Sequence, residues 1–216
     1  MSITIIIIII TALVSISAFS SDKIYNDLIF YPPAVTHQRQ WYRFFSCGLI
    51  HADWMHLIFN MYAFYGFGQA VEGAFSNILF QEKGKLFYML MYISALGFSL
   101  LPTYLKHRED SYYRSLGASG AVSAVIFAYF LLAPVEPVGF LFLPKSLGIP
   151  GFIFGFLYLG ISSYLDKRGG GNINHSAHIW GALYGVAFVA IMAIAFSDYP
   201  VLRIFVDQIK GFLHLG

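Results

Sequence analysis

The stretch SLGASGAVSAVIFAYFLLA, residues 115–133, is an almost unbroken apolar run that opens with a serine among glycines. A run of this length predicts a membrane helix, because a spanning helix needs about 20 mostly apolar residues and tolerates about 17 to 25. Ser119 would then stand near the start of that helix. The stretch therefore raises the question of whether the Ser119 hydroxyl packs or acts as a nucleophile.

The composition places the chain in a lipid bilayer. Of its 216 residues, 58% are hydrophobic and 11% are charged, against about a quarter charged in an ordinary soluble domain. The 22 Phe, 15 Tyr and 3 Trp residues are of the kind that gathers at membrane interfaces. The net charge of +2 comes from scattered basic residues, so nucleic acid is excluded as a partner. A single cysteine, Cys47, excludes an internal disulfide and is read as a packed residue.

Six apolar segments approach the length of a span. They are residues 3–19, 54–71, 86–105, 117–133, 147–165 and 176–196. The fifth is interrupted by Pro150 and Gly151. The fold prediction is an all-α polytopic membrane protein, with one six-helix domain over residues 1–199.

The tail, residues 200–216, differs from these segments. One face of a helix there would be polar and would carry Arg203, Asp207, Lys210 and His214. Away from that face would lie Ile204, Phe205, Ile209 and Phe212. This pattern predicts an amphipathic helix that lies in the membrane interface.

The first segment also has a second interpretation, as a cleaved signal peptide, since Ser15 and Ser17 offer a small-x-small site. It lacks the basic region that starts such peptides, which favours a retained helix. With the amino terminus inside, more of the 13 Lys and Arg residues fall in outer loops than in inner ones. The positive-inside rule therefore leans against this orientation.

Polar side chains within the predicted spans are the functional candidates, because such groups are costly in a bilayer. His56 and Asn60 lie near the start of the second segment, Ser119 near the start of the fourth, and His178 near the start of the sixth. In a six-helix serpentine the even-numbered helices all start on one side of the membrane. The four side chains should therefore converge at similar depth.

Small residues would let the fourth and sixth helices approach closely. His178 shares a helical face with Gly181 and Gly185, which form a GxxxG pair. The matching small residues of the fourth segment are Gly120, Ala124 and Ala128. Helix packing alone would explain either motif, but the coincidence of a serine and histidines at one depth favours chemistry.

The pair predicts nucleophilic catalysis, because a serine needs an adjacent base and histidine has a suitable pKa. Ser119 would attack and His178 would take its proton. The carboxylate of Glu72 lies at the opposite end of the second segment, so the prediction is a Ser-His dyad and not a triad.

An oxyanion site is predicted beside the serine. Backbone N–H groups at a helix start lack intrahelical partners and can point at developing negative charge. His56 and Asn60, four residues apart, share a helical face and would add side-chain donors. Gly117 and Gly120 remove side-chain bulk around Ser119.

Three motifs in this order resemble those of the rhomboid family of intramembrane serine proteases. HADWMHLIFN, residues 51–60, resembles the family's HxxxxHxxxN; GASG, residues 117–120, resembles its GxSG; AHIWGALYG, residues 177–185, resembles its AHxxGxxxG. WYRFF, residues 41–45, resembles its Trp-Arg element, with Tyr42 interposed. The resemblance covers roughly residues 41–185 and implies a six-helix core with a first loop at the membrane edge.

The resemblance implies a role for each candidate. Ser119 is the nucleophile and His178 the general base, while His56, Asn60 and the Ser119 backbone N–H form the oxyanion hole. His51 matches the first motif histidine and is expected to give a supporting hydrogen bond. We expect an intramembrane endopeptidase without cofactor or metal, whose substrates are transmembrane proteins. The expected location is a prokaryotic cytoplasmic membrane, with the active site toward the outer face.

Two positions qualify the resemblance. Many members carry, four residues after the nucleophile, a Tyr whose ring supports the histidine, and Ser123 stands there in this chain. Phe59 has two interpretations, one facing a lateral gate between the second and fifth helices and one facing lipid.

Two other functions are the alternatives. A metal enzyme would draw its ligands from His51, His56, His175 and His178. Its signature HExxH motif is absent, and no acidic residue accompanies these histidines within the spans. The other alternative is a non-catalytic rhomboid-like protein that binds or escorts membrane clients.

Overall fold

Helices dominate the computed structural model, which describes residues 1–139, 148–169 and 173–215. In chain order they are α1 (Ile3–Phe19), α2 (Asp22–Leu28), α3 (Pro32–Gln38), α4 (Arg43–Ser46), α5 (Trp54–Ala74), α6 (Gly84–His107), α7 (Ser119–Leu132), α8 (Gly151–Arg168), α9 (His175–Phe196) and α10 (Val201–Phe212). Helices α1, α5, α6, α7, α8 and α9 lie where the six apolar segments were predicted. Between α7 and α8 are two short antiparallel strands, β1 (Pro137–Val138) and β2 (Ile149–Pro150), a small departure from the all-α prediction.

The interruption in the fifth predicted segment is the start of a helix. Helix α8 begins at Gly151, directly after Pro150, and continues to Arg168. Proline has no N–H to donate and is poorly tolerated inside a helix, so it marks a boundary here. Position 147, where the predicted segment began, lies outside the described residues.

Two of the described helices have the length and composition of a membrane span. Among the described helices, Gln81–His107 and His175–Phe196 are long and apolar enough to cross a bilayer, whereas Ile3–Phe19 and Ser119–Leu132 are apolar but shorter. These criteria do not confirm the predicted six spans. At 1.5 Å per residue the 14 residues of α7 cover about 21 Å, less than the roughly 30 Å of a bilayer core.

Helix α7 is the innermost helix. Most of its residues are buried, and it packs against α5, α6, α8 and α9. Its contact with α9 is direct between backbones: a Cβ added at Gly181 would overlap the Gly120 carbonyl, and one added at Gly185 would overlap the Ala124 carbonyl. The predicted close approach of these two helices is present.

Side-chain caps fix where α5 and α9 begin. The Asp53 carboxylate accepts a 2.8 Å hydrogen bond from the His56 N–H, and the Asn174 side chain accepts a 3.0 Å bond from the Ala177 N–H. Such caps satisfy N–H groups that have no partner within the helix. As a result, His56 and His178 both lie in the first turns of their helices.

The carboxylate of Glu72 caps a different helix at the far end of α5. It is buried and accepts hydrogen bonds from the backbone N–H groups of Ile3, at 2.8 Å, and Thr4, at 3.0 Å. The hydroxyl groups of Ser2 and Thr4 donate to it as well. Since a carboxylate is favourable at a helix amino terminus, Glu72 fastens the start of α1 to α5.

The first loop, residues 20–53, folds against α6 through short helices. The buried Arg43 holds it together by donating through Nη1 to the carbonyls of Asn26, at 2.9 Å, and Ile29, at 2.6 Å. Next to it, the Phe44 ring packs on Tyr104 of α6 with centroids 5.5 Å apart. This anchored loop borders the segment that leads into α7.

The tail helix α10 has the predicted polar side, with one correction. Arg203 and Asp207 are exposed and lie 3.7 Å apart, while Ile204 and Phe205 are partly buried. His214 was assigned to the polar face, but the helix ends at Phe212 and His214 lies beyond it.

The backbone contact between α7 and α9 predicts that Gly185→Ala is strongly destabilising. The new methyl group has only the Ala124 backbone to push against, so we expect a loss of about 2 kcal/mol or more. The measurement is thermal unfolding of the purified protein in detergent. The control is Gly160→Ala on α8, where an added Cβ meets nothing within 4 Å. Equal melting temperatures for the two variants would contradict this packing.

Candidate active site

Ser119 and His178 meet at the start of two packed helices. Ser119 is the first residue of α7, and His178 lies in the first turn of α9. The Ser119 Oγ lies 2.7 Å from the His178 Nε2, within hydrogen-bond distance. When a serine hydroxyl donates a hydrogen bond to a neutral imidazole, the imidazole is placed to accept its proton.

A cavity of about 410 Å³ opens beside this pair. Its lining includes the other predicted polar residues, His56 and Asn60, together with Gly117 and Gly120. Phe59 is half exposed and contributes to the wall. All of the residues predicted for the dyad and the oxyanion hole therefore border a single cavity.

The hydrogen bonds of His56 indicate which nitrogen carries its proton. Its Nδ1 accepts from the Ala52 N–H at 3.4 Å, so in the neutral ring the proton resides on Nε2. That nitrogen faces Gly117, where an added Cβ would lie only 2.9 Å away from it. His56 can thus offer an N–H donor next to the GASG segment.

Asn60 lies one helical turn after His56. Its Nδ2 donates a 3.0 Å hydrogen bond to the His56 carbonyl. An amide carries two N–H groups, so this bond orients the side chain and leaves a second donor. Asn60 is partly exposed to the cavity.

Gly117 is required by both its conformation and its surroundings. Its φ of +108° is one that side-chain-bearing residues rarely adopt, and an added Cβ would lie 2.7 Å from the His56 Cε1. The Gly117 N–H donates to the Cys47 carbonyl at 2.9 Å. Because this N–H is already engaged, it is not a free donor for an oxyanion.

The segment that delivers Ser119 into the bundle is held on two sides. Phe30 and Ser115 exchange backbone hydrogen bonds of 3.0 and 3.1 Å, which join the first loop to this segment. From the position just before α9, Asn174 donates through Nδ2 to the Ser115 Oγ at 3.3 Å. Non-helical backbone at membrane depth needs partners of this kind, because lipid supplies none.

His51 supports His56 from a buried position. The Ser15 hydroxyl donates to the Leu49 carbonyl at 2.8 Å, so its oxygen accepts from the His51 Nδ1 at 3.0 Å. The edge of the His51 ring packs on His56, with centroids 4.9 Å apart. Burial, with a smaller contribution from His56, lowers the pKa of His51 to about 3, so His51 stays neutral at physiological pH.

Several residues at the site were missed in the sequence. Asn174 had a signal, because an Asn three residues before Ala177 fits a helix N-cap. Ser15 also had a signal, because it shares a helical face with Thr4 and Thr11 in an otherwise apolar segment, and the structure buries all three. Tyr158, whose ring stacks on His178, had none, because nothing in an aromatic-rich segment singles out one ring.

The histidines form two close pairs. The rings of His51 and His56 are 4.9 Å apart, and those of His175 and His178 are 5.9 Å apart. Within residues 1–139, 148–169 and 173–215, no group of three or more His, Cys, Asp or Glu side chains is placed to hold a metal ion.

Comparisons with known proteins give the chain its family. A family model described as Rhomboid domain matches residues 38–195. The chain is 30% identical over 154 residues to Rhomboid protease GlpG of Pectobacterium atrosepticum, covering 71% of this chain and 49% of that protein. It is 28% identical over 153 residues to the mitochondrial presenilin-associated rhomboid-like protein of Bos taurus, covering 64% and 35%. It is 28% identical over 174 residues to Rhomboid-like protein 11, chloroplastic, of Arabidopsis thaliana, covering 71% of this chain and 53% of that protein.

The matches cover only part of these relatives, between about a third and about half of their length. One of the three is named a protease, and the other two are named rhomboid-like. They come from a bacterium, a mitochondrion and a chloroplast, so the comparisons do not support the expected prokaryotic cytoplasmic membrane.

The single thiol near the cavity predicts slow alkylation of the folded protein. Cys47 is 1% exposed, and burial raises its pKa to about 12. At pH 8 only about one thiol in ten thousand is then the reactive thiolate. We expect a maleimide to label the denatured chain within minutes and the folded protein far more slowly, as followed by mass spectrometry. Equal labelling rates would show that this part of the first loop is open.

Proposed function

Because this chain belongs to the rhomboid family of membrane proteins, we propose that it is an intramembrane serine endopeptidase that cleaves transmembrane segments of other proteins. The observation that carries the proposal is the 2.7 Å contact between the Ser119 Oγ and the His178 Nε2 beside a cavity. Residues 1–199 form the catalytic domain, which spans the membrane six times. The amphipathic tail, residues 200–216, lies at the interface.

In the proposed reaction Ser119 attacks the scissile carbonyl carbon while His178 takes the hydroxyl proton. His178 then returns the proton to the leaving amine as the peptide C–N bond breaks, leaving an acyl-enzyme. Water, activated by the same imidazole, releases the acyl group. The cavity, bordered by polar groups of four helices and their adjoining loops, gives water access to the dyad.

The negative charge that develops on the substrate oxygen is stabilised by three donors in this proposal. They are the backbone N–H of Ser119, the His56 Nε2–H and the second N–H of Asn60. Support comes from the hydrogen bonds that leave these two side chains with a free donor and from the position of Ser119 at a helix start.

The substrate is proposed to be a membrane helix that unwinds locally. Backbone carbonyls in an intact helix are already hydrogen-bonded, so one must be released before Ser119 can attack it. Small or helix-breaking residues near the scissile bond make this release least costly. We place the active site toward the outer face of the membrane and the start of α1 on the inner side.

Substitution of the dyad tests the proposal. Purified protein is incubated in detergent with several single-pass model substrates, beside Ser119→Ala and His178→Ala. We expect each variant to lose activity by at least about a thousandfold, and cleavage by the wild type to resist a chelator. Controls are Ser111→Ala and His37→Ala, which change exposed residues of outer loops. A wild type that cuts no better than the dyad variants, yet binds the substrates, would favour a protein that escorts clients.

The oxyanion donors make a separate prediction. Asn60→Ala should lower kcat about a hundredfold with little change in KM, since the lost hydrogen bond forms in the transition state. Asn77→Ala, at the exposed far end of the same helical stretch, is the matched control. Steady-state kinetics with one model substrate measures both constants. An increase in KM alone would instead assign Asn60 to substrate binding.

A further inference from the structure

The aromatic ring of Tyr158 covers one face of His178. Tyr158 lies midway along α8, and its ring stacks on the imidazole with centroids 6.2 Å apart and planes 21° apart. Offset stacking of aromatic rings is favourable at this separation. The base of the proposed dyad is therefore in contact with a third helix as well as with Ser119.

The Tyr158 hydroxyl is anchored on α7. It lies 2.9 Å from the Ser123 Oγ, within hydrogen-bond distance. Ser123 is buried and follows Ser119 by four residues, so both serines lie on the same face of α7. One face of α7 thus holds the nucleophile and the group that fixes the ring.

Neighbouring aromatic rings hold Tyr158 in place. The Phe127 ring of α7 lies 5.6 Å from it, and the Phe154 ring, one turn earlier on α8, lies 6.4 Å from it at 25°. With its ring packed and its hydroxyl bonded, Tyr158 has little freedom to rotate. Its ring can therefore restrict the rotation of the His178 imidazole.

A second contact is needed because the hydrogen bond to Ser119 fixes only one atom of the imidazole. A histidine ring turns readily about its last side-chain bond, where the preferred angles are broad. A stacked ring restricts that rotation and keeps Nε2 directed at the serine. Small errors in such alignment are costly: a displacement of about 1 Å can lower the reaction rate about a hundredfold.

We propose that Tyr158 is a positioning residue for His178 and that Ser123 is its anchor. The inference rests on the proposed dyad. The contacts link three helices. Ser119 is hydrogen-bonded to His178, His178 is stacked on Tyr158, and Tyr158 is hydrogen-bonded to Ser123, which lies on the same helix as Ser119. They also account for Ser123 itself, since the ring expected at that position is supplied by α8.

Two readouts test the ring: cleavage of a single-pass model substrate, with kcat and KM separated, and the rate at which a fluorophosphonate labels Ser119. Tyr158→Leu should lower kcat and the labelling rate by about ten- to a hundredfold, with KM within about twofold. Tyr158→Phe keeps the ring and should lose only about threefold, the share that belongs to its hydrogen bond with Ser123. Tyr164→Leu, on the same helix and 64% exposed, should leave both rates unchanged.

The anchor is tested by a double-mutant cycle. Ser123→Ala and Tyr158→Phe each remove one side of the same hydrogen bond, so we expect losses of about threefold for either and no further loss for both together. Losses that multiply in the double variant would show that Ser123 acts independently of Tyr158 and would overturn the anchor.

Relocation of the ring separates positioning from general packing. In the double variant Ser123→Tyr with Tyr158→Leu, the new phenol on α7 can fill the space that the Tyr158 ring occupied. Ser119 should then be labelled much faster than in Tyr158→Leu alone. Melting temperatures identify any variant that fails to fold. If Tyr158→Leu does not fold, the cycle of Tyr158→Phe and Ser123→Ala tests the inference instead. Tyr158→Leu labelled as fast as the wild type overturns this inference alone. A wild type that neither cleaves nor is labelled at Ser119 overturns the proposed function and this inference with it.

Discussion

The direct contact between the backbones of α7 and α9 is the constraint on which the rest of the site depends. Gly181 and Gly185 leave no room for a side chain against the carbonyls of Gly120 and Ala124. In a membrane, helices gain little from hydrophobic association, so close van der Waals packing through small residues is a principal source of stability. This packing sets the spacing at which the side chain of His178 reaches Ser119.

The short length of α7 creates a second requirement, which the first loop meets. A helix of 14 residues places its first residue well inside the bundle, and the chain that reaches Ser119 must be non-helical. Its polar backbone is satisfied by protein groups: Phe30 pairs with Ser115, and the Cys47 carbonyl accepts from Gly117. The loop is in turn fastened by Arg43. A segment far from Ser119 in sequence therefore holds in place the chain that leads to Ser119.

The histidines divide into roles according to their surroundings. His51 is fully buried and bonded to Ser15, so it serves the structure as a neutral wall for His56. His56 and His178 both border the cavity and keep ring nitrogens directed at the GASG segment. The stacked Tyr158 gives His178 a contact that is aromatic and uncharged, in a part of the molecule where a buried carboxylate would be costly.

The sequence by itself determined the helical class, the approximate limits of the six apolar helices and the candidate residues Ser119, His178, His56 and Asn60, which border one cavity. It could do so because apolar run length, glycine spacing and the rarity of polar groups in spans are local properties of the chain. Only the tertiary structure decided which ring stacks on His178, because Tyr158 is one of 15 tyrosines and its neighbours Ser123 and His178 lie on other helices. It likewise decided how the first loop holds the segment before Ser119, since a backbone hydrogen bond between distant residues leaves no mark on either side chain.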